Sequence, residues 1–588
     1  MTRSAMPHSN SVHDVLQARS TFVLLLLLAA IALGAGLGLR DPSPPDEPRF
    51  VLAAQHMVES GDWLVPHRGR ELYAEKPPVF MWLQAAAYQL VGDWRWAFLL
   101  PSWLAALCTL WLTHDLARRL WGPRFALYAP AALLVCVQFG LQAKRGQIDM
   151  VLVFLTTLSL WGLLRHLLRG PDRLGLYLGM FAAGVGTVTK GVGFLPLLTV
   201  LPWALVRSWD SRAKPGASDA PGNKTKLIGG QVALALVSFI AGTAVWLGPL
   251  SLALIASNDP ALHAYAGELL FKQTGERYVN AWHHVQPAWY YLQVVATLWL
   301  PGALLLPWLL PRFWRRLRVG DTDQWVLLGW CVVTLLFFSA SPGKREVYIF
   351  PVLPALCVAA APMLPALLER RGVQRTLLGY AAVFATVLLA LGVSGLSGHS
   401  GWAHKLAAQR DLGAVSLKYL LLWLASGGAI GLLLAGWGRL RRSATVVVLF
   451  TSVLWIVYGL GIAPALDASS SSRKLMERVA KHIGPGAQLG LIAWREQNLL
   501  QATGPVMEFG FKQPWRQQWA EATLWASQDA RHRWIFVLAE AVSPCVDRAY
   551  VVPIGTANRR QWVLVPAAAL DERCTTPPLA DESIHQSA

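Results

Sequence analysis

The sequence predicts an α-helical polytopic membrane fold of about thirteen spans, followed by a small C-terminal α/β domain. Three observations carry that prediction. Of the 588 residues, 54% are hydrophobic and only 15% charged, with a mean hydropathy of +0.40, far from the balance of a water-soluble globular chain. Apolar runs of roughly 18 to 25 residues, each long enough to cross a ~30 Å hydrocarbon core as a helix, recur from Thr21 to about Leu466. Beyond Leu466 the runs become short and polar residues separate them.

The elements follow in order. Residues 1–20 are polar and carry Arg3 and Arg19 ahead of an apolar run too long for a secretory signal and without an evident cleavage site, so that run reads as an uncleaved first span. Spans are expected near 21–39, 96–113, 124–143, 147–168, 173–189, 192–209, 227–256, 289–310, 325–341, 347–368, 376–397, 416–438 and 443–466. Arginine-rich loops fall after every second span: "ARRLWGPR", "RHLLRGPDR", the linker from Arg207 to Lys226, "RFWRRLR", "ERRGVQR" and "RLRR". Such loops stay in the cytoplasm. An odd number of spans then puts the N-terminus inside and the tail outside. Within the tail, helix-like segments ("SRKLMERVAKHI", "PWRQQWAEATLWA") alternate with β-like runs ("QLGLIAW", "RWIFVLA", "QWVLVP"), the pattern of an α/β domain.

The formal net charge of +18 argues for topology and against nucleic acid, because the arginines are dispersed among short loops and form no continuous basic face. The six cysteines show no metal spacing. Cys108, Cys136, Cys331 and Cys357 sit inside apolar runs as small buried residues, while Cys545 and Cys574 in the tail have the option of a disulfide. "GVGTVTKG" lacks the P-loop spacing and the hydroxyl after its lysine, so no nucleotide site is expected there. The segment from Ser211 to Asn223 has the composition of a disordered linker.

The outside loops break the charge rule. Arg49 and Lys76 fall in the first, Lys144 and Arg145 in the second, Lys190 beside the third, Arg277 in the fourth, and Lys344 with Arg345 in the fifth. Each side chain alone could snorkel to water. As a set on one face they suggest a basic site for an anionic phosphate, which arginine binds in bidentate fashion. Acids accompany them: Asp46 and Glu47 after the first span, Glu75 before Lys76, and Asp149 just inside the fourth span. A transporter or flippase of a lipid-linked anion would share the basic site but is expected to show internal repeats and charges at the bilayer midplane. The cations instead gather on one side, which favours surface chemistry.

Three blocks in the first outside loop make a family resemblance visible. "DEPRF", "GDWLVP" and "YAEKPP" contribute Asp46, Glu47, Arg49 and Phe50, then Gly61, Asp62, Trp63 and Pro66, then Tyr73, Glu75, Lys76, Pro77 and Pro78. Together they resemble the GT-C membrane glycosyltransferases typified by lipid A aminoarabinose transferases and, more distantly, protein O-mannosyltransferases. "GQIDM" with Asp149, "VTKG" with Lys190, "HVQPAWYY" from His284 and "SPGKREVYIFP" with Lys344, Tyr348 and Pro351 extend the resemblance over roughly the first 370 residues. One departure is "LLFKQTGERY", where Lys272 and Gln273 stand in place of the glutamate and histidine common in the aminoarabinose enzymes.

The resemblance implies an inverting transfer of a sugar from a polyprenyl-phosphate donor to lipid A, another glycan or protein, on the periplasmic face of the inner membrane. Loop 40–95 would then be periplasmic, residues 21–466 the transmembrane transferase domain, and residues 467–588 a periplasmic α/β domain. Asp46 is implied as the base or orienting acid for the acceptor, with Glu47 and Asp149 as further catalytic candidates. Arg49, Tyr73, Lys76, Arg277, Lys344 and Tyr348 are implied at the donor phosphate, with Lys144 and Arg145 nearby. A divalent metal is the one cofactor the pattern leaves room for, with Glu75 and His284 as its candidate ligands and no nucleotide. The expected partners are the lipid-linked sugar, a lipid or glycan acceptor, and the membrane lipids.

Overall fold

The computed structural model describes residues 12–213, 229–270 and 285–570. Most of the polar linker, Lys272, Gln273, Arg277, Trp282, His284 and Cys574 lie outside these residues. Seven described helices are long and apolar enough to cross a membrane, or nine if each of two bent pairs is one span. Four shorter apolar helices, Arg19–Gly34, Val79–Val91, Leu195–Trp209 and Val352–Leu368, accompany them.

The two bent pairs occupy sequence-predicted spans. One joins Pro123–Leu134 to Val137–Ala143 at 70°, the other joins Tyr290–Leu298 to Gly302–Arg318 at 101°. A break at membrane depth frees backbone groups that lipid cannot satisfy. Here the breaks satisfy each other: the Val137 amide donates to the Leu300 carbonyl at 3.0 Å, and the Trp299 indole donates to Gln138 at 2.6 Å. Neither break carries a charged side chain.

The first helix, Val12–Gly34, stops short of the predicted residue 39. Gly36 has φ of +90°, and a Cβ there would lie 2.3 Å from the Gly459 carbonyl oxygen. Only glycine permits this crossing of the first loop over the last span. Of the cysteines in apolar runs, Cys136, Cys331 and Cys357 are buried, but Cys108 is on an exposed helix face.

Between the first two spans the chain forms two helices, Glu47–Ser60 and Val79–Val91, separated by a two-strand ribbon of β1 (His67–Arg68) and β2 (Glu71–Leu72). Val79–Val91 is a helix the periodicity did not single out.

The tail builds a five-stranded sheet from β3 (Gln488–Ile492), β4 (Val506–Glu508), β5 (Arg533–Leu538), β6 (Val552–Ala557) and β7 (Arg560–Pro566), in the order β4-β3-β5-β7-β6. β3 runs parallel to β4 and β5, whereas β7 is antiparallel to β5 and β6. Ile535, Phe536, Val537, Leu564 and Val565 are fully buried at its centre, and Phe536 stacks on Trp562 at 4.8 Å. The predicted helices appear as Arg473–Ile483 and Trp515–Ser527. A third, Glu496–Gln501, follows β3. Cys545 is disulfide-bonded.

This sheet unit sits directly on the first loop. Glu508 accepts from the Arg70 amide at 2.7 Å, the Lys512 amide donates to Glu71, and the Lys512 ammonium pairs with Glu268 at 3.1 Å. At the root of the tail, Arg473 bridges Asp41 and Asp467 at 3.0 and 2.8 Å, and Asp41 also holds Arg95 at 2.8 Å.

Candidate active site

The helix Glu47–Ser60 starts at "PPDEPRF", with Asp46 in the capping position and Pro48 in the first turn. Glu47 is saturated. Its carboxylate accepts from both terminal nitrogens of Arg40 at 2.5 and 2.7 Å, from the Ser43 amide at 2.8 Å and from the Gly146 amide at 2.9 Å. Four donors fill the four acceptor sites of a carboxylate, so the geometry makes Glu47 a brace and leaves it no capacity for a reacting proton. Lys144, placed by the sequence near the phosphate, is likewise turned inward and donates to the Leu33 and Ala35 carbonyls at 3.2 and 2.6 Å. Gly146 lets these segments close, because a Cβ there would stand 2.7 Å from the Phe98 ring and 2.9 Å from its carbonyl oxygen.

Asp46 is different. One oxygen accepts from the Gln147 amide at 3.0 Å and lies 3.5 Å from Arg345, and the other lies 3.9 Å from Arg49. These long ion pairs leave the carboxylate able to take another partner. Asp149, in the first turn of the helix Ile148–Arg169, is paired with Lys190. Lys190 also lies 5.5 Å from the Tyr348 ring, which stacks on Phe338. Burial works to lower the pKa of Arg345, but Asp46, Asp149, Glu346 and Tyr348 raise it above its ordinary value. Arg345 thus joins the two acids electrostatically, a part that sequence reading gave to no single residue.

Lys344 has no such acid. It is 5% exposed, and its ammonium donates to the Ser341 and Gln286 carbonyls at 2.7 and 3.3 Å, with no carboxylate in salt-bridge range among the described residues. Val285 pairs with Gly343, so the described chain resumes beside Lys344. Arg145 also lacks an ion pair among the described residues. It lines a cavity of about 170 Å³ with Arg40, Pro45, Gln147 and Tyr458, next to the Asp46 turn.

On the other side of Asp46, Arg49 donates to Glu496 at 3.0 Å and to Glu75 at 3.2 Å. Arg68, buried beneath it, reaches the same two acids at 3.4 and 3.2 Å and lies over Phe511 and Tyr73, 3.8 and 5.5 Å from the ring centroids. Burial opposes the charge of Arg49, but Tyr73, Glu496, Glu75 and Asp46 raise its pKa. Burial likewise pushes Glu75 up, yet Arg49, Arg68, Lys512 and Lys76 hold it below the usual carboxylate range. Burial and Glu75 raise the Tyr73 phenol, keeping it a neutral hydrogen-bond donor.

The expected metal ligation does not fit these contacts. Both Glu75 oxygens face arginines, and the described residues contain no group of three His, Cys, Asp or Glu side chains suited to a metal. His284 and Arg277 lie outside the described residues. Asp46, Asp149, Arg49, Tyr73, Lys190 and Arg345 come together. The sequence did not single out Arg40, Arg68, Gln147 or Glu496, and only the place of Gln147 two residues before Asp149 offered a signal for any of them.

The site chemistry is two-sided: one open carboxylate, Asp46, at a helix start and, around it, cations that lack full carboxylate compensation among the described residues. Residues 75–241 match the dolichyl-phosphate-mannose-protein mannosyltransferase family, and residues 279–402 match the Alg9-like mannosyltransferase family. The chain is 30% identical over 419 residues to undecaprenyl phosphate-alpha-4-amino-4-deoxy-L-arabinose arabinosyl transferase 2 of Sodalis glossinidius, covering 69% of this chain and 70% of the relative. It is 30% identical over 456 residues to arabinosyl transferase 1 of the same name from Pseudomonas fluorescens, covering 75% and 70%. The crystal structure of ArnT from Cupriavidus metallidurans bound to undecaprenyl phosphate matches with a TM-score of 0.68 at 21% identity, over 97% of this chain and 100% of that one. At that identity the likeness speaks for the fold.

Proposed function

The chain belongs to the GT-C membrane glycosyltransferase family of the undecaprenyl phosphate-aminoarabinose arabinosyl transferases, and we propose that it moves a sugar from a polyprenyl monophosphate to an acceptor at the periplasmic face of the inner membrane. The observation that carries this reading is the placement of Lys344, a buried ammonium with only carbonyl partners among the described residues, in the same loop as Arg345, which approaches Asp46 to 3.5 Å.

Departure of the lipid phosphate develops negative charge on the leaving oxygen, and preorganised cations stabilise it. Lys344 and Arg49 supply that charge, Lys76 and Arg277 extend it, and the Tyr73 and Tyr348 hydroxyls donate to phosphate or sugar. Asp46 orients the acceptor nucleophile or takes its proton on the opposite face of the anomeric carbon, and the displacement inverts that carbon. Asp149 acts through Lys190 and Arg345, fixing the loop that carries Lys344. Glu75 is committed to Arg49 and Arg68 and is not offered to a metal. The donor brings its own phosphate leaving group, and no nucleotide is required.

About thirteen crossings, with the N-terminus inside, place this charge set and the α/β tail on the periplasmic side by the positive-inside rule. The acceptor is lipid A, another envelope glycan or a protein. Mass spectrometry of lipid A and surface glycans from cells with the protein, without it and with Asp46→Asn tests the proposal. Loss of one sugar modification in both the deletion and the variant supports it. Unchanged glycans with lipid-linked sugar accumulating on one leaflet would overturn it.

A further inference from the structure

The far end of the helix Ile148–Arg169 has a second charged cavity. Its 22 residues span about 33 Å at 1.5 Å per residue, so this cavity lies on the opposite membrane face from Asp149, independent of the transfer site. It is an open cleft of about 380 Å³ lined by Arg119, Arg165, Arg169, Gly170, Pro171 and Asp172.

Its charges do not balance. Asp115 takes both Arg118 and Arg119, at 2.6 and 2.5 Å, and accepts from the Trp161 indole as well. Arg165 pairs with Asp172 and Arg169 with Asp323. Four guanidiniums against three carboxylates leave one positive charge over. The donors are also in surplus. Arg119 gives only its Nε to Asp115, leaving its terminal nitrogens without a protein acceptor among the described residues. The Nε of Arg165 is buried with no acceptor, and its guanidinium lies over the Trp161 ring at 4.1 Å. Arg169, by contrast, is spent on the Arg119 and Leu120 carbonyls and on Asp323.

An apolar track starts at the rim. The next helix, Arg173–Lys190, is capped by Asp172, and from it Leu174, Leu178 and Phe181 project with exposures of 78%, 39% and 39%. Their i, i+4, i+7 spacing makes one stripe along the helix. Spare guanidinium donors next to an outward apolar stripe match a ligand with a phosphate head and hydrocarbon tails.

We infer that this cavity seats the phosphate of an anionic membrane phospholipid, with its acyl chain along Leu174, Leu178 and Phe181. Arg119 binds the phosphodiester oxygens through its two terminal nitrogens and Arg165 through its Nη1, since its Nη2 is taken by Asp172.

The test uses the full chain purified in a neutral detergent, with phosphatidylglycerol, phosphatidylcholine and inorganic phosphate as separate probes, read by native mass spectrometry and thermal unfolding. Phosphatidylglycerol should stay bound and raise Tm, with at least tenfold tighter apparent binding than phosphatidylcholine. The paired variant Arg119→Gln, Arg165→Gln should lose that preference. Leu174→Ser, which leaves every ion pair intact and so guards against misfolding as the explanation, should weaken phosphatidylglycerol several-fold. Equal binding of the two lipids would overturn the inference. Stabilisation by inorganic phosphate with none from phosphatidylglycerol would also overturn it, by making the site one for free phosphate. Sugar transfer by the paired variant is read separately, so failure here leaves the transferase proposal standing.

Discussion

Replacing Glu496 by glutamine removes one of four charges that lock the tail onto the first loop. Arg49 and Arg68 each contact both Glu75 and Glu496, a closed set of two cations and two anions. At the 3.0 Å of the Arg49 to Glu496 contact, the gross Coulomb term is roughly 5 kcal/mol for an effective dielectric of ~20. Much of that is offset by the desolvation of the carboxylate. Removing one partner of a buried pair costs about 3–5 kcal/mol. Glutamine retains an acceptor, and the side chains of Arg49 and Glu75 keep 23% and 29% of their surface in solvent. Those two features bring the expected loss to about 1–3 kcal/mol.

Part of that loss should appear in catalysis, because Arg49, proposed at the donor phosphate, is freed to lean toward Glu75. Each ~1.4 kcal/mol is tenfold in rate, so kcat/KM for the lipid-linked sugar should fall by about 5- to 50-fold. The assay is transfer by purified enzyme in micelles, with Tm measured on the same preparation. Glu496→Asp, which keeps the charge but is one methylene short, should recover part of the activity. A variant Glu496→Gln with wild-type Tm and wild-type kcat/KM would refute the reasoning. So would a fall in Tm with no change in turnover, since it would make the contact an adhesive only.

Three further outcomes follow from the same geometry. Lys344→Met keeps the volume but removes the ammonium, and kcat should drop by about 10²- to 10³-fold, the usual cost of deleting one transition-state donor, with Tm within a few degrees of wild type. Glu47→Gln should act in the reverse sense, leaving Arg40 buried without its anion at a cost of about 3 kcal/mol or more, so Tm falls steeply and any active residue retains a near-normal KM. The depressed Glu75 pKa gives a signed pH dependence. Its stabilising contribution is complete above the unfolded value, near ~4.3, and is lost as pH falls through the lower folded value. Acid unfolding of wild type followed by tryptophan fluorescence should therefore steepen below that point, whereas Glu75→Gln should be less stable at neutral pH and show a shallower acid loss.

Much of the site was legible because its residues are clustered along the chain. Asp46, Arg49, Tyr73 and Glu75 lie within one loop, and their polarity is conspicuous against the apolar sequence on either side. The tail helices Arg473–Ile483 and Trp515–Ser527 and strands β3, β5 and β7 were legible from periodicity. β4 and β6 were not, since three-residue "VME" and glycine- and proline-containing "VPIGTA" carry little alternation of their own. The bends at 135–136 and 299–301 were hidden for another reason: hydropathy registers the depth of a segment and is blind to its direction. Within the acidic pair "DE", composition treated Asp46 and Glu47 alike. The fold separates them, because Glu47 enters the helix facing Arg40 and the Gly146 amide while Asp46 stays at the cap facing Arg345.

The contribution of Glu496 was the least visible. It lies 447 residues from Arg49, in a helix of six residues whose sequence reads as an ordinary helix start. Its carboxylate gains its partners only once the sheet unit has docked on the first loop. That docking gives the tail a definite physical role. Without Glu496, Arg68 would be buried against Phe511 and Tyr73 with Glu75 alone as counter-ion, and Glu75 would have to serve two arginines. With it, charge is balanced among the four residues, and Arg49 is held between the tail and Asp46. With Arg49 at the proposed donor side, the tail acts there through it, and the first loop is ordered from both ends: by Arg40 and Glu47 at its start, and by Glu496 and Glu508 over its ribbon.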